Sequence, residues 1–332
     1  MKKTSTLRRK PINILGIETS CDETAAAVVQ DGRTVLSNVV ATSLQEHQKF
    51  GGIIPEIASR RQLELIDSVV RTALKQAGTT FADISAIAVT QSPGLIGSLL
   101  VGLSFARALS FALKKPLLEI NHIEAHLYAS FLVIDQAAKK STKQTLPKLP
   151  AIGLIVSGGH TSIYHIKTFQ KFQLLGQTRD DAAGEAFDKV ARILDLGYPG
   201  GPVIDRMAKQ GVNREIRFTA SELPDSFDFS FSGLKTAVLY RTQKHPCRTE
   251  ADKARVAFAF QESVVSILVK KCLVACKKTK VRTIVTGGGV AANSALREQL
   301  TKAAEAEGIK VFAPPLSLCI DNAAMVAGYA FH

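Results

Sequence analysis

Ile12-Asn-Ile-Leu-Gly-Ile-Glu-Thr-Ser20 opens a pattern that Ala151-Ile-Gly-Leu-Ile-Val-Ser-Gly-Gly159 opens a second time. Each is a short apolar run that ends in small residues, as a buried strand does when it stops at a turn. Ala25–Gln30, the turn Asp31-Gly32 and Thr34–Thr42 follow the first run; Thr161–Ile166 and Lys171–Gln177 follow the second. Both sets predict consecutive strands joined by tight turns. Farther on, Ile84–Thr90 runs into Gln91-Ser-Pro-Gly-Leu-Ile-Gly97 and a helix from Ser98. In the same way Thr283–Thr286 runs into Gly287-Gly-Gly-Val-Ala-Ala-Asn293 and a helix from Ser294. One plan used twice, a meander followed by alternating α/β, predicts two three-layer α/β units with a cleft at the mouth of both glycine turns.

Between these landmarks, Leu63, Ile66, Val70 and Leu74 recur at helical spacing within Ala58–Gln76, and Ala254–Lys278 reads as a longer apolar-faced helix. With 332 residues and 46% hydrophobic content, the chain is expected to build two domains. Residues 136–150, rich in Lys, Thr and Pro, read as the linker. No apolar h-region follows the basic first ten residues and no span reads as long enough to cross a bilayer, so a cytoplasmic protein without a membrane partner is expected. Cys21, Cys247, Cys272, Cys276 and Cys319 are odd in number and scattered, which argues for reduced thiols over disulfides or a cysteine zinc site. The net charge of +13 gathers in the first ten residues, Lys139–Lys148 and Lys270–Arg282, a balance that suits a polyanionic partner such as nucleic acid.

His122-Ile-Glu-Ala-His126 follows the strand-like Pro116–Asn121. Imidazoles four apart share one helix face, about 5–6 Å between Cβ atoms, and can grip one metal ion. Two ordinary histidines on a half-buried helix satisfy the same spacing. A His-Glu-x-x-His peptidase would need its glutamate where Ile123 stands, and Glu124 projects elsewhere. Ser157-Gly-Gly-His-Thr161 could cradle a phosphate through backbone N–H groups and hydroxyls, or be a plain hairpin turn. Gly287-Gly288-Gly289, aimed at the same cleft, favours a nucleotide. Asp180-Asp181-Ala-Ala-Gly-Glu185-Ala-Phe-Asp188 concentrates carboxylates, of which Asp180 and Asp181 read as N-terminal helix charges. Tyr198-Pro-Gly-Gly201-Pro-Val-Ile-Asp205 adds a constrained turn, and Asp228–Lys235 a loop anchored by aromatics. Asp321-Asn322 reads as a helix cap.

Together these residues resemble one family almost end to end, the tRNA adenosine(37) N6-threonylcarbamoyltransferases, formerly described as O-sialoglycoprotein endopeptidases. The matching motifs run in order over residues 12–328: Gly16–Thr24, Gly51–Arg60, Pro93–Gly102, His122-x-x-x-His126, Ser157–Thr161, Asp180–Lys189, Tyr198–Pro202, Asp228–Lys235, Gly287–Asn293 and Asp321-Asn322. The resemblance implies a duplicated ribonuclease-H-like fold of the actin/hexokinase/Hsp70 kind. The expected first domain covers residues 11–135 and 318–332 with a helical insertion near 44–78; the second covers 151–317. It also implies one divalent metal ion, iron(II) ahead of zinc, on His122, His126 and Asp321. Ser157, Gly158, Gly159, His160, Thr161, Asp188, Gly201, Asp205 and Asn293 are implied as the site for threonylcarbamoyl-AMP. Gln62, Ser92, Ala125 and Ile320 depart from the family pattern of His, Gly, Gly and Thr, and Gln62 puts in doubt any hydrogen bond of the family histidine.

The implied reaction moves a threonylcarbamoyl group from its mixed anhydride with AMP to N6 of adenosine 37, in tRNAs that read codons beginning with adenine. No general base is assigned. Implied helpers are a catalytically reduced paralogue of the same fold, as heterodimer partner, and a small P-loop ATPase. The alternatives are an ATPase or kinase of the same architecture, the older metallopeptidase, and a non-catalytic tRNA-binding subunit.

Overall fold

The structure, a computed structural model, describes residues 10–134, 145–211, 215–219, 223 and 226–332. The basic residues 1–9 and most of both the 136–150 linker and the Lys139–Lys148 stretch lie outside the described residues.

Two mixed sheets carry the molecule. The first holds β1 (Asn13–Glu18), β2 (Glu23–Gln30), β3 (Thr34–Thr42), β4 (Ala86–Ser92), β5 (Leu117–Asn121) and β6 (Val133–Ile134) in the order β5-β4-β1-β2-β3-β6. The second holds β7 (Ala151–Val156), β8 (Thr161–Thr168), β9 (Lys171–Gln177), β10 (Thr283–Gly287) and β11 (Lys310–Phe312) in the order β11-β10-β7-β8-β9. In each, the first three strands form an antiparallel meander, and two later strands add in parallel beside its first strand. This is the plan used twice that the repeat predicts, and the duplicated ribonuclease-H-like fold that the resemblance implies.

The central strands β1 and β7 are buried along their whole length, because both faces of each sheet are covered. Alternation along β1 divides its side chains between two layers. Leu15 and Ile17 pack with Ile66, Val70 and Leu74 of α2 (Pro55–Gln76) and Ala106 of α3 (Ile96–Leu113). Ile14 faces the other way, into a core shared by both sheets that also takes Ala151, Ile155 and Val285. Ile152, Leu154 and Val156 of β7 pack with Phe187, Phe260 and Leu268. The two sheets are thus joined through one continuous apolar layer.

Four sequence expectations need correction. Helix α2 buries Gln62 and leaves Leu63 exposed at 69%. The long helix Ala254–Lys278 begins earlier, at Glu250, because Thr249 and Asp252 cap each other: Asp252 N donates to Thr249 Oγ1 at 3.1 Å and Thr249 N to Asp252 Oδ2 at 3.0 Å. Helix α3 is long and apolar enough, by length and composition, to cross a membrane, contrary to the expectation that no span is. It lies here against α2 and β4. Asp180 does not serve the helix that follows it; its Oδ1 accepts from Phe231 N at 2.8 Å and Ser232 N at 3.3 Å, at the start of Ser232–Lys244.

The last helix, Ala323–Tyr329, packs on β1, β2 and β3 and so completes the first unit with the end of the chain. Its approach to β1 is possible because residue 16 has no side chain: a Cβ there would collide with the Ala323 carbonyl and meet the Ala327 Cβ at 2.9 Å. Gly16→Ala should therefore destabilise the protein by about 1–3 kcal/mol through overpacking, read as a lower midpoint in thermal denaturation. An unchanged midpoint would show that the helix shifts freely on the strand.

Candidate metal and ligand site

His122 and His126 belong to α4 (His122–Tyr128), which starts where β5 ends. Asn121 caps it, its Oδ1 accepting from Ile123 N at 2.9 Å and Glu124 N at 3.1 Å. One turn separates the imidazoles, so they meet edge to face with ring centroids 4.5 Å apart. Asn322 caps the last helix, accepting from Met325 N at 3.0 Å, and Asp321 just before it reaches across to both rings. Asp321 Oδ1 lies 3.0 Å from His126 Nε2 and 3.6 Å from His122 Nε2.

A nitrogen from each histidine and an oxygen from Asp321 all lie within 4.8 Å of one another, so this trio could hold a metal ion. Two imidazoles and one carboxylate fit a transition metal and leave coordination positions open. Burial of His122 opposes its charge, but Asp321 and Glu18 outweigh that and push its pKa up to about 9. Burial likewise opposes ionisation of Asp321, and His122 and His126 outweigh it, so its carboxyl stays ionised far below the usual range. His160 is depressed by burial first and then by the charges of His122 and His126. The Ser157–Thr161 turn thus shares the field of the trio.

Gly158, Gly159, Gly201 and Gly289 have open space where a side chain would start, and none has a positive φ. Neither packing nor backbone conformation in the chain itself calls for glycine there, and a glycine at such a position leaves room for a ligand to approach the backbone. Among the described residues, Gly158 N and Gly159 N donate to no protein acceptor. The turns also brace one another. A Cβ on Gly184 would strike Ser157 O, one on Gly288 would strike Val156 O, and one on Gly287 would collide with the His126 carbonyl. The glycine turns and the metal trio are therefore parts of one packed backbone unit.

Other expected site residues have structural duties as well. Asp188 Oδ1 accepts from Gly200 N at 2.7 Å and so fixes the Tyr198–Gly201 turn. Burial raises its pKa, with those turn amides opposing. Thr161 Oγ1 is buried and accepts from Ala183 N at 2.8 Å. Asp205 holds Ser294, its Oδ1 accepting from Ser294 Oγ at 2.8 Å. Asn293 caps the helix Ser294–Ala306 through Leu296 N at 2.9 Å and donates to Gln261 Oε1 at 2.8 Å.

The loop between β1 and β2 closes the site from the first sheet. Gln62 Nε2 donates to the carbonyls of Cys21 at 2.9 Å and Glu23 at 3.0 Å, so the departure from histidine at 62 still supplies hydrogen bonds. Glu23 is pushed far above the carboxylate range by burial and then by Asp321 and Asp22. Sequence reasoning alone singles out neither Glu23 nor Glu18. Both fall inside the Gly16–Thr24 motif, which is the available signal.

A family model for TsaD, tRNA N6-adenosine threonylcarbamoyltransferase, matches residues 34–328. A tRNA N6-adenosine threonylcarbamoyltransferase of Syntrophus aciditrophicus is 52% identical over 316 residues, covering 95% of this chain and 90% of its own length. One of Clostridium botulinum is 50% identical over 325 residues, covering 97% and 93%. Among solved structures, full-length HypF matches at a TM-score of 0.62 and 13% identity over 98% of this chain and 46% of its own. Component A of the (R)-2-hydroxyglutaryl-CoA dehydratase of Acidaminococcus fermentans matches at 0.55 and 16% identity, covering 96% and 98%. These last two share the fold.

His126→Ala should abolish stoichiometric binding of a transition metal, measured by elemental analysis after dialysis, while circular dichroism stays native. Full metal occupancy after replacing any two of His122, His126 and Asp321 would rule out this ligand set.

Proposed function

The chain belongs to the tRNA N6-adenosine threonylcarbamoyltransferase family, and on that premise we propose the fuller reaction. The donor is threonylcarbamoyl-AMP, the acceptor is N6 of adenosine 37 in tRNAs reading codons that begin with adenine, and AMP leaves. What carries this reading is the set of glycines 158, 159, 201 and 289, open on free space, beside Gly184, Gly287 and Gly288, whose close backbone contacts tie these turns to the helix that carries His122 and His126.

The N–H groups of Gly158 and Gly159 bind the donor phosphate, and Asp188, holding the Tyr198–Gly201 turn, orients the nucleoside. His122, His126 and Asp321 would hold one ion, iron(II) ahead of zinc on a two-histidine, one-carboxylate set, which when bound would supply positive charge for the donor's anionic or carbonyl oxygens. Because the acyl group arrives already activated, rate comes from holding it against the adenine amine with water excluded, and no side chain needs to act as general base. The anticodon loop is single-stranded, so a splayed base can enter without any duplex opening.

Two alternatives lose ground on specific contacts. Glu124 is tied up, accepting from Tyr329 Oη at 2.5 Å, and Ile123 occupies the position of a peptidase glutamate. An ATPase or kinase would hold magnesium on hard oxygen ligands, whereas two of the three donors here are imidazoles.

Surface features support the proposed partners. Ile96, Leu100 and Phe111, the last 88% exposed, lie on one face of α3 as an apolar stripe broken by Ser104 and Arg107, and Leu63 of the adjacent α2 is also exposed. Exposed apolar stripes mark interaction faces, and this one suits the paralogue of the same fold. The small P-loop ATPase rests on family membership alone. For tRNA, the Lys270–Arg282 stretch is partly committed elsewhere: Lys271 Nζ donates to Leu223 O at 3.0 Å, Lys278 stands over the Phe227 ring at 5.0 Å, and Arg282 Nη1 donates to Glu307 O at 2.5 Å. Lys277 and Lys280 are exposed.

Purified protein given threonylcarbamoyl-AMP and tRNA, with and without the helpers, tests the reaction through formation of modified adenosine and AMP. Asp188→Ala should weaken donor binding by about 1–3 kcal/mol, the cost of an unpaired partner in a desolvated site, with metal content unchanged; equal affinity by calorimetry would show the donor pocket misplaced. Replacing Lys277 and Lys280 with alanine should lower the slope of log K for tRNA against log salt by about 1 for each phosphate that is no longer neutralised. An unchanged slope would remove both lysines from the tRNA path.

A further inference from the structure

Glu18 ends β1 with a fully buried carboxylate, in a strand whose neighbours Leu15 and Ile17 are core residues. A buried carboxylate is costly unless its oxygens are matched, and an apolar residue would fill a core position without that cost. Here they are matched. Oε1 accepts from Ser20 N at 2.5 Å, and Oε2 accepts from Thr90 Oγ1 at 2.5 Å and lies 3.1 Å from His122 Nδ1. Ser20 Oγ lies at the same 3.1 Å from that nitrogen. The other histidine has no such support: among the described residues, His126 Nδ1 is buried without a hydrogen-bond partner. The two imidazoles facing Asp321 are therefore held unequally.

We propose that Glu18, braced by Thr90 and the Ser20 amide, is the positioning residue that sets the metal affinity of the His122–His126–Asp321 centre. The proposal rests on the reading of that trio as a metal centre. Glu18 accepts the hydrogen of His122 Nδ1, which fixes the ring's rotation so that Nε2 is on the side of Asp321 and offers its lone pair to the ion once its own proton is displaced. A carboxylate behind a ligating imidazole also makes the ring a stronger donor, and loss of such a partner weakens metal binding about 10–100-fold. His126, with no partner on Nδ1 among the described residues, has no carboxylate behind its ring and cannot compensate. Glu18 touches neither donor nor tRNA in this role; it acts through His122.

The test is a Co2+ titration of the metal-stripped full chain, followed by visible absorption and by competition with a chelator of known affinity. Wild type should bind one equivalent and His126→Ala none. Glu18→Gln, which keeps shape and an acceptor oxygen but removes the charge, should raise the dissociation constant about 10-fold and Glu18→Ala up to about 100-fold. Both should alter the cobalt d–d spectrum. The thermal midpoint of the metal-free Glu18→Gln protein should match wild type, so that weakened binding is separated from a weakened fold. Wild-type affinity and spectrum in both variants would overturn the proposal. So would a lowered metal-free midpoint with unchanged affinity in Glu18→Gln, because Glu18 would then be structural only. Equal cobalt binding by wild type and His126→Ala would instead defeat the reading of the trio, and the proposal with it.

Discussion

The seating of the last helix on β1 is the contact on which the site depends. Asp321 lies 195 residues from His126 in sequence, and nothing local brings the two together. Gly16 lets Ala323–Tyr329 approach the strand closely, the Asn322 cap fixes where that helix begins, and Asp321 is the residue immediately before the cap. Its carboxylate is delivered by backbone geometry, with no flexible arm to order. The trio can form only after the end of the chain has docked on the sheet made by its beginning, so a formed metal site reports a completed fold.

What the sequence discloses and what it hides divide along the range of the interactions involved. The meanders, the glycine turns and the His122–His126 pair are legible because strand alternation, turn chemistry and the helical repeat act within a few residues. The phase of α2 is not. An apolar pattern puts Leu63 inward, whereas Gln62 is buried because it meets carbonyls of the β1–β2 loop about 40 residues earlier, partners that no local period reveals. Asp180 reads as serving its own helix and instead caps one some 50 residues later. Asp321 enters the metal set through family resemblance, since its own sequence context suggests only a cap. Glu18 gives no local signal because His122, its partner, lies 104 residues away.

The neighbours of similar fold show how little the architecture itself decides. In this chain the candidate site is made of residues at a few strand ends: imidazoles one turn apart after β5, glycines without a packing reason after β7 and β10, and a carboxylate before the last helix. Hard oxygen ligands would suit magnesium and phosphoryl transfer, while imidazole donors suit a borderline transition metal that need not be tied to phosphate chemistry. On the proposed reading, the same cleft serves an acyl phosphate in which the acyl group is what moves.

The proposed reaction would need a fixed distance between the Ser157–Thr161 turn and the His122–His126–Asp321 trio, because the donor would be held by both. Side chains alone would set that distance loosely, since each rotatable bond adds freedom. Here it is set by main chain: Gly287 rests on the His126 carbonyl, Gly288 on the Val156 carbonyl, and Gly184 beneath Ser157. A side chain at any of these glycines would force β10, α4 and the Ser157–Thr161 turn apart. The glycines in this core therefore serve two opposite purposes. Gly158, Gly159, Gly201 and Gly289 stand open where a side chain would start, and Gly184, Gly287 and Gly288 let backbones pack closely.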